Sequence, residues 1–97
     1  MAKAYWVATY RTVSDPDALA AYGKTAGAAL QAAGGRILAR GMPSLTLDGG
    51  YMGRTVVVEF DSVDAAKAAY NSPAYQDALK LLGAVAKERD IRIIEAA

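Results

Sequence analysis

Arg40 and Glu59 are the two residues whose types would let them act together, a fixed cation beside a carboxylate. A guanidinium holds a carboxylate, phosphate or enolate oxygen through paired N–H donors, and a nearby carboxylate accepts the proton released beside a carbonyl. As catalytic residues, Arg40 would bind the anion and Glu59 would be the general base; as structural residues, they would form a cross-strand salt bridge at a rim. Tyr70, Ser72 and Tyr75 form a second group. In a ligand-binding role their hydroxyls would orient a substrate carbonyl. In the plainer role Ser72 caps a helix and both rings pack on the core with their hydroxyls at the edge. Trp6, the only tryptophan, either lines the same ligand-binding cavity or lies under a helix. The chain has no Cys and no His. That removes the thiolate nucleophile, the disulfide, the Cys-ligated metal centre and the usual proton shuttle, so neither a metal site nor a cofactor is expected. Without His, Ser72 also lacks the base a serine nucleophile needs.

Composition narrows the class further. The chain has 97 residues, enough for one domain, and is 54% apolar, but 22 of those residues are Ala and only 20 are Val, Ile, Leu or Phe. A chain this short buries roughly 60–65% of its unfolded surface, so an Ala-rich monomer is marginal and a partner subunit is expected. Eleven Lys and Arg against ten Asp and Glu leave a net charge of +1, without the basic excess that binding a phosphate backbone demands; no nucleic-acid partner is expected. The opening residues show no secretory pattern, and no apolar run reaches 18 residues. A soluble, cytoplasmic protein with no membrane partner is the expectation.

The elements that must position these residues follow from period and punctuation. Residues 3 to 11, rich in aromatic and β-branched types, predict a strand. Asp15-Pro16-Asp17 opens a helix over about 16 to 33, its apolar face set by Leu19, Tyr22, Ala26, Ala29, Leu30 and Ala33, and Gly34-Gly35 closes it. Residues 36 to 41 form a second strand. Leu45-Thr46-Leu47 before the Asp48-Gly49-Gly50 turn leaves room for a small hairpin extension. Residues 54 to 61 are the clearest strand. Ser62 caps a helix of about 63 to 70, Ser72-Pro73 opens another over about 73 to 87, and a last strand covers residues 90 to 95. The order βαββαβ is the ferredoxin-like, α+β arrangement: a four-stranded antiparallel sheet with helices on one face.

The bare sheet face then needs an occupant. Period two assigns Val56, Val58, Phe60, Ile37, Ala39, Ile91 and Ile93 to the core, and Thr55, Val57, Glu59, Arg36, Leu38, Arg40, Arg92 and Ile94 to the open face. In the first strand Tyr5, Val7 and Thr9 compete with Trp6, Ala8 and Tyr10. Roughly 400 Å² of mixed surface results, large for a monomer. A two-fold homodimer stacking these faces would close a dimeric α/β barrel and enclose a cavity around Arg40 and Glu59. The rival is a monomer with a wet outer face. In the dimer the cavity would take a small, mostly apolar carbonyl or carboxylate compound, for a cofactor-free isomerase or monooxygenase; the other class is a non-catalytic dimeric module.

Ala4-Tyr5-Trp6-Val7-Ala8, Asp15-Pro16-Asp17 with Tyr22, Gly34-Gly35-Arg36 to Ala39-Arg40-Gly41, Val58-Glu59-Phe60 and Tyr70-Asn71-Ser72-Pro73-Ala74-Tyr75-Gln76 resemble the family called domain of unknown function thirteen-thirty, over nearly the whole chain. The resemblance implies a ferredoxin-like fold and the barrel-forming dimer of its superfamily. That superfamily includes cofactor-free monooxygenases, muconolactone isomerases, haem-degrading enzymes and dye peroxidases. It implies no reaction, and this chain has no His to ligate a haem iron.

Overall fold

The computed structural model describes residues 2–10, 15–82 and 89–97. Its elements are β1 (Ala4–Tyr10), α1 (Pro16–Ala32), β2 (Arg36–Gly41), β3 (Thr55–Phe60), α2 (Val63–Tyr70), α3 (Pro73–Leu82) and β4 (Arg89–Glu95). The strands form one antiparallel sheet in the order β2-β3-β1-β4. This is the ferredoxin-like α+β arrangement that the element order predicts.

Each helix begins where its capping residue satisfies the free amides of the first turn. Asp15 Oδ1 accepts from the backbone N–H of Asp17 and Ala18 at 3.1 and 3.2 Å, ahead of Pro16. Ser62 Oγ accepts from Ala65 N–H at 3.0 Å. At the end of α1, Gly34 takes a φ of +95°, and a Cβ on Gly35 would lie 2.9 Å from the Leu30 carbonyl and the Val58 and Phe60 side chains. Only glycine lets the chain turn this tightly into β2. The expected turn at 48–50 forms, with Asp48 and Gly49 both at positive φ and Gly50 N–H bonded to the Leu47 carbonyl. No strand forms on either side of it, so the hairpin extension is absent. Residues 83 to 87 of the expected last helix, and Arg11 of the expected first strand, lie outside the described residues.

All three helices pack on the sheet face carrying Trp6, Ala8, Tyr10, Val58 and Phe60. Among the described residues, seven of the sixteen buried apolar ones are Ala, so much of the volume of the core comes from Trp6, Tyr10, Tyr22, Phe60 and Tyr75. Alanines bring the helices close and the five rings fill what remains. The choice left open for β1 resolves with Trp6, Ala8 and Tyr10 inward and Tyr5, Val7 and Thr9 on the bare face.

Candidate functional site

The site is set by one irregularity in β2. Arg36 pairs with Glu59 and Ile37 with Val58, but the next matched pair is Ala39 with Val57, followed by Arg40 with Val56. Leu38 is an extra residue, a β-bulge, and every later side chain changes face. Strict alternation placed Ala39 inward and Arg40 on the open face; the bulge reverses both. Arg40 and Glu59 therefore stand on opposite faces of the sheet, and the expected pair does not form.

Arg40 instead joins a pocket between α1 and the sheet. Its walls include Trp6, Tyr10, Tyr22, Tyr75, Val56 and Arg54, and its enclosed volume is about 40 Å³. Gly23 and Gly27 stand among Leu19, Tyr22, Ala26 and Leu30 on its α1 wall, and a Cβ on Gly27 would lie 3.9 Å from an Arg40 Nη. Three phenols form a chain across the floor: Tyr10 OH donates to Tyr22 OH at 3.4 Å, and the hydroxyls of Tyr22 and Tyr75 share a hydrogen bond of 2.8 Å. Burial pushes the Tyr75 phenol up to about 12 and raises those of Tyr10 and Tyr22, because a phenolate here would lose its water. The guanidinium of Arg89 pulls all three the other way, and Arg54 does so for Tyr10. At neutral pH the phenols are thus hydrogen-bonding hydroxyls and not bases. Among the described residues, neither Arg40 nor Arg54 makes a salt bridge to a carboxylate.

Trp6 is 1% exposed and lies at the centre of the rings, edge-on to Tyr75 with centroids 5.1 Å apart and tilted against Tyr70 and Phe60 at 5.9 and 6.1 Å. Trp6 and Tyr75 both line the pocket, whereas Tyr70 and Ser72 are not among its described lining residues. Tyr70 packs its ring on Tyr75. Ser72 is a cap: its hydroxyl donates to the Ala69 carbonyl at 2.7 Å and accepts from Tyr75 N–H at 3.3 Å. Tyr10, Tyr22 and Arg54 join the site without having been singled out as candidates. A phenol on an apolar face must find a partner for its hydroxyl, and that was their available signal.

Glu59 belongs to the bare face. Its Oε1 accepts from Arg36 Nε at 2.8 Å and from Lys3 Nζ at 3.4 Å, and its Oε2 from Tyr5 OH at 3.3 Å. Arg36 also reaches Asp61 at 3.0 Å. The hydrogen bond from Arg36 and the charge of Lys3 hold the Glu59 carboxyl below its ordinary value against partial desolvation, which makes it a weaker base. Around this network lie Val7, Val57 and Thr55, half-buried, with Leu38 and Ile94 exposed. Among the described residues, no group of three or more Asp or Glu is placed to hold a metal ion, and no helix is long and apolar enough to cross a membrane.

Fold and core together define a ferredoxin-like α+β protein with an aromatic pocket under its first helix. The chain belongs to the family described as Domain of unknown function (DUF1330), whose model matches residues 3–97. Among solved structures it is similar to a protein of unknown function from Rhodopseudomonas palustris, at 22% identity and a TM-score of 0.75, covering 99% of this chain and 83% of that one. It is also similar to a dimeric ferredoxin-like protein of unknown function from Thermobifida fusca, at 19% identity and a TM-score of 0.62, covering 98% and 92%. SnoaB, a cofactor-independent oxygenase from Streptomyces nogalater, matches at 13% identity and a TM-score of 0.69, covering 100% and 95%. At these identities the likeness is one of fold. Among curated proteins, none matches.

Proposed function

We propose that this chain is a homodimer that binds a small carboxylate or carbonyl compound in the pocket between α1 and the sheet. The observation that carries the reading is the pairing of two arginines that make no salt bridge among the described residues with a floor of three neutral hydroxyls. Arg40 and Arg54 supply charge to an anionic oxygen, the Tyr10–Tyr22–Tyr75 chain supplies the one hydroxyl hydrogen its two internal bonds leave over, and Trp6 supplies an apolar wall. If the protein is an enzyme, this set suits electrostatic stabilisation of an enolate or phenolate already acidic in the substrate, as in a cofactor-free isomerase or oxygenase. Among the described residues no carboxylate lines the pocket, so a protein base is the part this reading does without.

Self-association rests on separate ground. The bare face carries Val7, Val57, Ala39, Leu38 and Ile94, and a second copy stacked by two-fold symmetry would cover them. The Thermobifida fusca protein of the same fold, described as dimeric, supports it. One observation favours a second reading, a non-catalytic dimeric module: the enclosed volume of about 40 Å³ takes a small polar head and not a ring. The two separate on titration. Binding of butanoate or benzoate, of which only the carboxylate head has to enter, that raises the melting temperature of the wild type, and fails to raise that of Arg40→Ala, supports the site. An unmoved melting temperature across the panel leaves the module.

A further inference from the structure

Beside the pocket lies a groove that the reading above leaves unused. This groove, about 460 Å³ and open to solvent, runs between Leu19 and Ala20 of α1 and Met42 and Met52 of the segment joining β2 to β3. Tyr10, Leu19 and Arg54 line both the groove and the pocket, so the two adjoin and Arg54 is a wall of each. Met42 is 63% and Met52 49% exposed, and three more large apolar side chains of the segment, Leu45, Leu47 and Tyr51, are exposed as well. Single exposed apolar residues are ordinary, but three of these, Met42, Tyr51 and Met52, line one groove. Methionine is the side chain best able to mould itself to an apolar guest of varying shape.

We propose that the occupant is an amphiphilic carboxylic acid, its head at Arg54 and Arg40 and its extended alkyl tail along the Met42–Met52 groove. The inference rests on the head-binding site proposed above and names its substrate class. Charge complementarity supplies the argument: an apolar groove lined by Arg54, with Arg40 in the adjoining pocket and neither in a salt bridge among the described residues, fits an apolar chain ending in a carboxylate. The size contrast points the same way, since an enclosed space of about 40 Å³ admits a carboxylate head while a groove of about 460 Å³ has room for a chain outside it.

The test is a calorimetric titration of straight-chain acids from butanoate to decanoate into the wild type, Met52→Gln and Met42→Gln, with benzoate alongside. The wild type should tighten about twofold to threefold for each added methylene, as partial burial of a CH₂ allows. Both Gln variants, altered only at exposed positions, should lose most of that increment while holding butanoate within twofold of the wild type. If benzoate and butanoate bind through Arg40 but affinity ignores chain length, the groove is not a tail site and the head-site reading survives. If no acid binds, both fall. If Met52→Gln changes the mass in solution, the groove is a contact between copies and the proposal is overturned.

Discussion

The two faces of the sheet carry their polar groups in different ways. On the helix-covered face the buried polar side-chain atoms are neutral: three phenols bond to one another, and no buried polar side-chain atom among the described residues lacks a partner. On the bare face they are charged, and Glu59 is surrounded by Arg36, Lys3 and Tyr5. Desolvation explains the division, because a hydroxyl is far cheaper to bury than an ion. It also separates the roles. On the bare face Glu59 and Asp61 are matched by Arg36 and Lys3, whereas the pocket on the covered face is lined by Arg40 and Arg54, which make no salt bridge among the described residues. A carboxylate already held by two cations has little left to offer a ligand; a pocket lined by unmatched cations suits an anion.

Breaking the covered face should have the largest effect. Trp6→Ala removes the ring against which Phe60, Tyr70 and Tyr75 pack and should cost about 3–5 kcal/mol, read as a lower urea midpoint. Val57→Lys strikes only the bare face: the fold should persist, while light scattering shows the mass falling from about twice 10.1 kDa to that of one chain. A wild type already at 10.1 kDa at micromolar concentration removes the dimer. Arg54→Ala should weaken binding of butanoate about tenfold without changing the mass, since it deletes one charged donor from the pocket. Tyr75→Phe should cost about 1 kcal/mol, the net worth of one hydrogen bond, with Tyr22 keeping Tyr10 as its partner.

The smallest effects are in pH dependence, and the faces differ in sign. Glu59 is lowered by Arg36, so its stabilising contribution is present above the unfolded carboxylate value and is lost as acid takes the pH down through the folded one. Glu59→Gln should flatten that acid limb of stability. The phenols are raised, so their contribution is complete below pH 10 and fades as the pH climbs through the folded values, with Tyr75 near 12. Tyrosinate absorbance from Tyr10, Tyr22 and Tyr75 should therefore appear together with alkaline unfolding; an early, fully reversible rise from these three would show that they are not buried.

The fold was legible because its signals are local. Asp15-Pro16, Ser62 and Ser72-Pro73 cap helices within three residues of themselves, and β3 announces itself by consecutive β-branched residues. The site was legible in part. Trp6 and Tyr75 were named and line the pocket, Arg40 was named and lies in a different place, and Ser72 acts as the cap that its rival reading made it. What misled was a single inserted residue. Alternation along Arg36-Ile37-Leu38-Ala39-Arg40 is a rule about strands with regular pairing, and the bulge at Leu38 is fixed by the match of β2 to β3, a tertiary fact with a weak local mark. The Tyr10–Tyr22–Tyr75 chain was hidden for the same reason: its members are far apart in sequence and meet only once α1 and α3 dock on β1.

Arg36 and Arg40 lie four residues apart on one strand and, through that bulge, on opposite faces. Titrating benzoate and butanoate into Arg36→Ala and Arg40→Ala, with the mass of each variant measured in parallel, tests the assignment of the site to the covered face most directly. The account predicts that Arg40→Ala loses binding at least tenfold while Arg36→Ala binds as the wild type does. Binding lost in Arg36→Ala and kept in Arg40→Ala would contradict it and return the site to the face between subunits.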